Sequence, residues 1–409
     1  MGASDADASS IDYRCPPVRG CLIKSACCGL LMKILQIQTQ AEAGGAQRIS
    51  DVVGAGLRSR GYDVITAFLY RRTAAYVLCN DTAFMLTAPP NSAIDFVRSI
   101  LRLISYARRW RPDAVLCYQP WGNVAGAITS VACGCRCLIA NQNGMPDGLG
   151  IPRIPVLLDR FFGSAGIYGV NVVNSAATQA AFSGYPRAYR EKIVRVDHGV
   201  AKAPARLVPA VARAKFAVPP GSFVIVTAGR LHKQKGQRTL IQSLRAIPDS
   251  HLIVAGGGPL GAYLRSLSTA IGVRERVKFV GELTTEEVGD LFSAADVFGF
   301  PSVTESFGLA AVEAAIAGVP VVCSDLPALR EVLQVNGRSA AVFASPGDPA
   351  SFAAQINRIR EDKLLRVELR GVGAELEKRY SVERMVDGYE RLIRNGCHGA
   401  QISLGTRRT

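Results

Sequence analysis

The chain has 409 residues, long enough for two domains with proper cores, and 48% hydrophobic with 20% charged residues marks a globular protein. No apolar run reaches the length of a membrane span, since the stretch 310–323 is short and is interrupted by Glu313. A formal net charge of +15 implies attraction to nucleic acid, membrane or nucleotide-linked substrates, while the one cysteine cluster (Cys133, Cys135, Cys137) lacks a second ligand pair and reads as reduced cytosolic thiols, not a zinc site.

Residues 1–31 show no fold pattern. Their start is small and acidic, and four cysteines between Cys15 and Cys28 have no repeated spacing. No basic start precedes an apolar core, so no secretory signal is read there. The expectation is a disordered extension, with the folded chain starting at Met32. Met32 to Ile37 begins an apolar strand, followed by Gly44-Gly45 and a helix from about Gln47 to Arg60. Strand, Gly-Gly turn and helix form a phosphate cradle, because glycine lets the backbone approach a ligand closely. Many parallel α/β proteins also turn with glycine here. Tyr62 to Phe68 reads as the next strand.

Asp95 to Trp110 reads as a basic amphipathic helix. At about 100° per residue, Arg98, Arg102 and Arg109 share one face, opposite Phe96, Ile100, Leu103, Ile104, Ala107 and Trp110. The arginine face is either solvated or a contact with anionic lipid, where each arginine adds about 1 kcal/mol. Strands follow at Asp113–Cys117, Arg136–Ala140 and Val170–Asn174, and the first two end in loops holding Tyr118, Gln119, Asn141 and Asn143. No histidine precedes His198, which removes a histidine base from the first half. His198 itself reads as a hinge residue or as part of a cleft wall. Residues 201–220 carry four prolines and read as a linker with one short helix.

Phe223 to Ala228 opens a second apolar strand series. Directly after it stand Arg230 and Lys235, placed to neutralise a diphosphate through charge-assisted hydrogen bonds. No Gly-Lys-Ser/Thr occurs, so this is not a P-loop. His251 to Ala255 is the next strand, and Gly256 to Gly261 matches Gly-x-Gly-x-x-Gly by letter. A dinucleotide fingerprint follows the first strand of its domain and needs an acid about 20 residues on. This one follows the second strand; Glu282 has the distance but no clear strand end. Val277 to Val280 is a strand, and Thr284 to Glu287 a helix start.

Ala295 to Pro301 reads as a buried strand, and Ala310 to Ala317 as a helix stopped by Gly318 and Pro320. Glu305 then lies in the loop before that helix and Glu313 on it. The free amides near Ser306, Phe307, Gly308 and Leu309 carry positive partial charge and favour a phosphate. Two carboxylates beside it can accept hydroxyl hydrogens from a sugar and a ribose. Taken singly, Glu305 also reads as a helix cap and Glu313 as a solvated residue.

Glu305-x7-Glu313 around Ser-Phe-Gly-Leu, with Gly229-Arg230-Leu231-x3-Lys235-Gly236, resembles the donor site of retaining GT-B glycosyltransferases, family 4 (glycosyl transferases group 1). The resemblance runs from Met32 to about Asn395 and is strongest over 227–333. It implies an α/β fold with two Rossmann-like parallel domains facing across a cleft. Residues 32–200 would be the acceptor domain and 201–379 the nucleotide-sugar domain; 380–409 would be a helix crossing back to the first domain and a disordered tail. Glu305, Arg230 and Lys235 would be catalytic. Gly44, Gly45, Gly257, Gly258, Ser306, Phe307, Gly308, Leu309 and Glu313 would bind donor, with Glu305 at the sugar and Glu313 at the ribose. Tyr118, Gln119, Asn141 and Asn143 would lie on the acceptor side, where family members often carry histidine. Residues 325–331 lack the family's glycine, which puts sugar contacts near Leu326 to Ala328 in doubt.

The implied activity is retaining transfer of a hexose from a UDP- or GDP-sugar to a saccharide or lipid-linked acceptor, in cell-surface polysaccharide or glycolipid assembly. No metal or other cofactor is expected, since no Asp-x-Asp-type cluster accompanies the phosphate site. No nucleic acid partner is expected either. The expected location is cytoplasmic, with peripheral contact at an anionic membrane face. An NAD-dependent oxidoreductase using residues 256–261, and a nucleotide-sugar hydrolase or epimerase of the same fold, are the alternatives.

Overall fold

The computed structural model describes residues 31–405 except 43, 73–80, 147 and 149–151. The expected N-terminal extension and the last four residues lie outside the described residues.

Two parallel sheets form the molecule, as the family resemblance implied. The first contains β1 (Lys33–Ala41), β2 (Asp63–Arg71), β3 (Thr82–Phe84), β4 (Ala114–Tyr118), β5 (Cys137–Gln142), β6 (Val170–Val173) and β7 (Ile193–Arg195), in the order β3-β2-β1-β4-β5-β6-β7. The second contains β8 (Phe223–Ala228), β9 (Ser250–Ala255), β10 (Val277–Gly281), β11 (Val297–Phe300), β12 (Val321–Ser324) and, after a hairpin of β13 (Gln334–Val335) and β14 (Arg338–Ser339), β15 (Ala341–Ala344); its order is β10-β9-β8-β11-β12-β15. Their central strands read as continuous apolar runs because helices cover both faces. β3 was not legible: three half-buried residues at an edge make no apolar run.

In the first sheet, α1 (Gly45–Ser59) packs on one face. α2 (Ala93–Trp110), α3 (Pro120–Cys133) and α4 (Arg153–Ser164) cover the other, with α3 touching both neighbours. A short α5 (Ala176–Ala181) follows β6. The final helix, Val382–Gly405, runs past the Ser381–Arg394 span that the sequence suggests and returns to the first sheet beside α1. Met385, Val386, Tyr389 and Ile393 are buried there against Ile49 and Val53. Burying each such side chain stabilises by about 1.5–3 kcal/mol, which fastens the last helix to the first domain.

Strand order reverses beside β1 in one sheet and beside β8 in the other. At such a switch point neighbouring loops diverge and leave a crevice at the carboxyl ends of the strands. Gly44-Gly45 follows β1, the Arg230–Lys235 loop follows β8, and Glu305 follows β11, the strand next to β8. Topology alone therefore brings these three loops to the crevices.

Candidate functional site

A cleft of about 690 Å³ lies between the two sheets. Gly44, Gly45, Arg230, Lys235, Glu305 and Glu313 all line it, as do Ser306, Phe307, Gly308 and Leu309. Residues far apart in the chain thus converge on one cleft.

The N-termini of α1 and of the helix Leu309–Ile316 meet in this cleft. A Cβ placed on Gly45 would stand 3.3 Å from Leu309 Cδ1. Two sets of unpaired amides and two positive helix ends then point at one volume, which favours an anion.

Three ion pairs line the cleft, one within the second domain and two between the domains. Lys235 Nζ donates to Glu305 Oε1 at 2.5 Å, and Ser302 Oγ donates to the same oxygen at 2.8 Å. Glu305 is 7% exposed and does not cap the helix, whose N-cap is Gly308. Lys235 also stands over the Phe300 ring, 5.3 Å from its centroid. Arg48 Nη1 lies 2.8 Å from Glu313 Oε1, and Arg230 Nη1 lies 3.5 Å from Glu42 Oε1. Glu313 is buried, not solvated; desolvation raises its carboxyl above the usual range, and Arg48 opposes that rise. Neither Arg48 nor Glu42 was singled out from sequence. A signal was present: Arg48 stands in the first turn of α1, where a cation opposes the helix dipole.

The glycine-rich loop departs from expectation. Gly257 and Gly258 do not line the cleft. A Cβ on Gly256 would lie 2.1 Å from the Gly229 carbonyl oxygen, and one on Gly258 would lie 2.6 Å from that of Leu231. Leu231 N–H donates to Gly257 O at 2.8 Å. The loop therefore supports the Arg230 segment from behind, and Gly256 and Gly258 are required by that backbone packing.

Ser306 joins the domains. Its hydroxyl donates to Asn143 O at 2.9 Å, and its carbonyl accepts from Ser175 Oγ at 2.7 Å. Phe307 is 2% exposed, wedged against His198 and Tyr380, so it packs the hinge and offers the cleft little surface. His198 lines the cleft wall. Its Nε2 meets Asn174 Nδ2 at 3.0 Å, and burial lowers its pKa to about 3. It stays neutral near pH 7 and is too weak a base to take a proton there.

Residues 325–331, where the family's glycine is absent, form part of a second clasp. Glu331 lies in the helix Pro327–Val332 and accepts from the amides of Ala176 and Ala177 at 2.9 Å each, at the start of α5. Arg195 Nη1 lies 2.7 Å from the same carboxylate.

On the first domain a smaller cavity of about 200 Å³ adjoins the cleft, lined by Gln119, Asn141, Asn143, Asp159 and Tyr185 among others. Tyr118 is not part of it. That ring is fully buried on the α1 side of the sheet, and its hydroxyl accepts from Gln36 Nε2 at 3.0 Å. Alternation along β4 turns Tyr118 away from the cavity. Asn141 is held by the final helix, since Tyr389 OH donates to its Oδ1 at 2.5 Å. Asp159 is buried behind the cavity and accepts from Gln142, Asn123, Tyr168 and Tyr189. Among the described residues no group of three or more His, Cys, Asp or Glu is arranged to hold a metal ion.

Residues 210–375 match the family described as Glycosyl transferases group 1. The chain is 35% identical over 193 residues to the lipopolysaccharide core biosynthesis glycosyltransferase LpsD of Rhizobium meliloti, covering 47% of this chain and 55% of that protein. It is 30% identical over 192 residues to a D-inositol 3-phosphate glycosyltransferase of Salinispora arenicola, covering 44% of this chain and 42% of that protein. The chain thus spans about half the length of these curated relatives. The structure of Anabaena Alr3699/HepE in complex with UDP-glucose superposes with a TM-score of 0.77 at 20% identity, covering 89% of this chain and 100% of that one. WaaG, a glycosyltransferase involved in lipopolysaccharide biosynthesis, superposes with a TM-score of 0.71 at 14% identity, covering 88% of this chain and 99% of that one. The two-domain architecture is the GT-B fold.

Proposed function

We propose that the chain is a retaining glycosyltransferase that moves a hexose from a UDP- or GDP-sugar to a saccharide or lipid-linked acceptor, without a metal. One observation carries this reading: two helix N-termini, three cations and the carboxylates Glu305 and Glu313 converge in one cleft. The match of residues 210–375 to a glycosyltransferase family, and the UDP-glucose bound to a protein of the same fold, support it. Relatives named for lipopolysaccharide core and inositol phosphate point to a saccharide or polyol acceptor.

In this reading the donor diphosphate lies between the helix ends, gripped by Arg230 and Lys235. As the bond from sugar C1 to the phosphate oxygen breaks, negative charge grows on the leaving group and those cations gain strength. The acceptor oxygen bonds to C1 on the face being vacated, and its proton passes to the departing phosphate oxygen. No side-chain base is then needed, which fits a neutral His198. Glu305 orients the sugar and Glu313 the ribose. An α-configured donor is expected to give an α-linked product by NMR, at a rate unchanged by chelator. A β-linked product would reject retention and make Glu42, the carboxylate on the acceptor side of the cleft, the first base to test.

The oxidoreductase alternative loses its basis in the structure. Gly256 and Gly258 pack against the chain's own backbone, and their loop follows β9, away from the strand reversal. A hydrolase or epimerase would release free sugar or alter the donor with no acceptor present, so product analysis separates it.

The same reading includes contact with an anionic membrane, on apolar residues that the sequence helix pattern did not single out. Ile94, Val97 and Leu101 on α2 are 72%, 53% and 60% exposed; Ile154, Leu157 and Phe161 on α4 are 64%, 64% and 62% exposed. Both stripes follow i, i+3, i+7 spacing and stand either side of α3 on one face. Arg98 is paired with Asp95, and Arg102 Nη1 donates to Met85 O at 2.8 Å, so arginine charge alone is a smaller part than expected. Among the described residues no helix is long and apolar enough to cross a membrane. Co-sedimentation with anionic vesicles is expected to weaken with salt and to be lost in Leu101→Asp/Phe161→Asp, with turnover on a soluble acceptor retained. Unchanged co-sedimentation of that variant would remove the membrane from the proposal.

A further inference from the structure

Arg48 has a position that its own helix does not explain. It stands in the first turn of α1, where a cation is disfavoured by the helix dipole. Its guanidinium crosses to the second domain and pairs with Glu313, which is 5% exposed. Arg48 is the charged group acting on that buried carboxyl. Gly44, Gly45, Arg48, Leu309 and Glu313 line the same cleft, and Arg48 stands within a turn of Gly45, where the two helix N-termini meet.

Two ion pairs bridge the domains across this cleft, Arg48–Glu313 and Arg230–Glu42. Both join a residue of the first domain to one of the second. A nucleoside diphosphate entering here presents phosphate oxygens to both arginines and ribose hydroxyls to Glu313. Ribose and guanidinium are rivals for one carboxylate. A planar guanidinium released from it finds two oxygens of a diphosphate in the geometry that it binds best.

We infer that Arg48 is a third phosphate-binding cation of the donor site, supplied by the first domain, and that it changes partner on donor entry. The ribose takes its place at Glu313, and the guanidinium turns to the diphosphate. This rests on the donor reading given above. It makes occupancy of the second domain felt in the first, because the strut between domains becomes a clamp on the ligand.

Binding of UDP and of GDP is measured by calorimetry on the full chain in four forms: wild type, Glu313→Gln, Glu313→Gln/Arg48→Ala and Glu313→Gln/Arg48→Lys. In the Glu313→Gln background the strut has lost its ion pair and keeps at most a neutral hydrogen bond, so a loss of affinity on removing Arg48 well beyond the effect of one such bond reports phosphate contact and not interdomain packing. Removing Arg48 there is expected to weaken the preferred diphosphate by a further tenfold to hundredfold, roughly, with Arg48→Lys in between. Thermal midpoints of the same proteins show that each is folded, and the Arg48→Lys form serves if the alanine form is not. Equal affinity in Glu313→Gln and Glu313→Gln/Arg48→Ala would reduce Arg48 to a strut and overturn the inference. A wild-type protein that binds neither diphosphate would instead reject the donor reading beneath it.

Discussion

Glu305→Gln is expected to lower turnover by about 10²–10³ while shifting donor affinity far less. Glutamine keeps the shape and an acceptor oxygen, so Ser302 can still donate to it at the position where it now meets Glu305. What is lost is the negative charge that holds Lys235 in the cleft, where the proposed leaving group would lie. The fold is expected to survive, because removing the charge of a buried carboxylate relieves a desolvation cost. Lys235→Ala is a poorer probe. It leaves Glu305 buried without its cation, held by Ser302 alone, which costs up to about 3–5 kcal/mol of stability before any chemistry is read. Arg230→Ala is the better companion, since its side chain is 39% exposed and its pair with Glu42 is long at 3.5 Å. It is expected to lower turnover more than donor binding. Steady-state and single-turnover rates with calorimetric donor affinities check both variants. Near-normal turnover in Glu305→Gln would remove Glu305 from the reaction.

Gly256→Ala is expected to cost about 3 kcal/mol or more and to abolish donor binding with it. Gly256 has φ +127°, a conformation that side chains disfavour, and its Cβ would stand 2.1 Å from the Gly229 carbonyl oxygen. That contact is backbone on backbone, so relief requires moving the segment that carries Arg230. The thermal midpoint should fall by about 6–12 °C if the second domain melts as a unit. Gly257→Ala is the control. Its Cβ would meet only the Glu282 side chain, Oε1 at 2.7 Å and Cγ at 3.2 Å, which can rotate away. It is expected to cost about 1 kcal/mol or less. A ligand-cradling loop would behave differently, with folded alanine variants that fail only in binding. Differential scanning calorimetry with and without UDP or GDP distinguishes the two patterns, and a stable Gly256→Ala protein would contradict the packing role.

The sequence by itself determined what is carried by local pattern. Apolar runs of strand length, broken by glycine turns and followed by helical periods, place most strands of both sheets, because parallel strands buried on both faces have no polar alternation to hide them. Glu305, Glu313, Arg230 and Lys235 were legible because their spacing around a strand end and a helix start ties chemistry to short-range geometry. The tertiary structure decided the rest. Which glycines face a ligand depends on what stands behind their loop, and Gly256 to Gly258 have the Gly229–Leu231 backbone there. Tyr118 is turned inward by strand alternation whose register only the sheet fixes. Glu42 and Arg48 entered the site because the strand reversal beside β1 and the packing of two helix ends bring 188 and 265 residues of separation down to ion-pair distance. Those pairs are contacts between domains, and a chain read in order contains the partners but not the cleft that makes them partners.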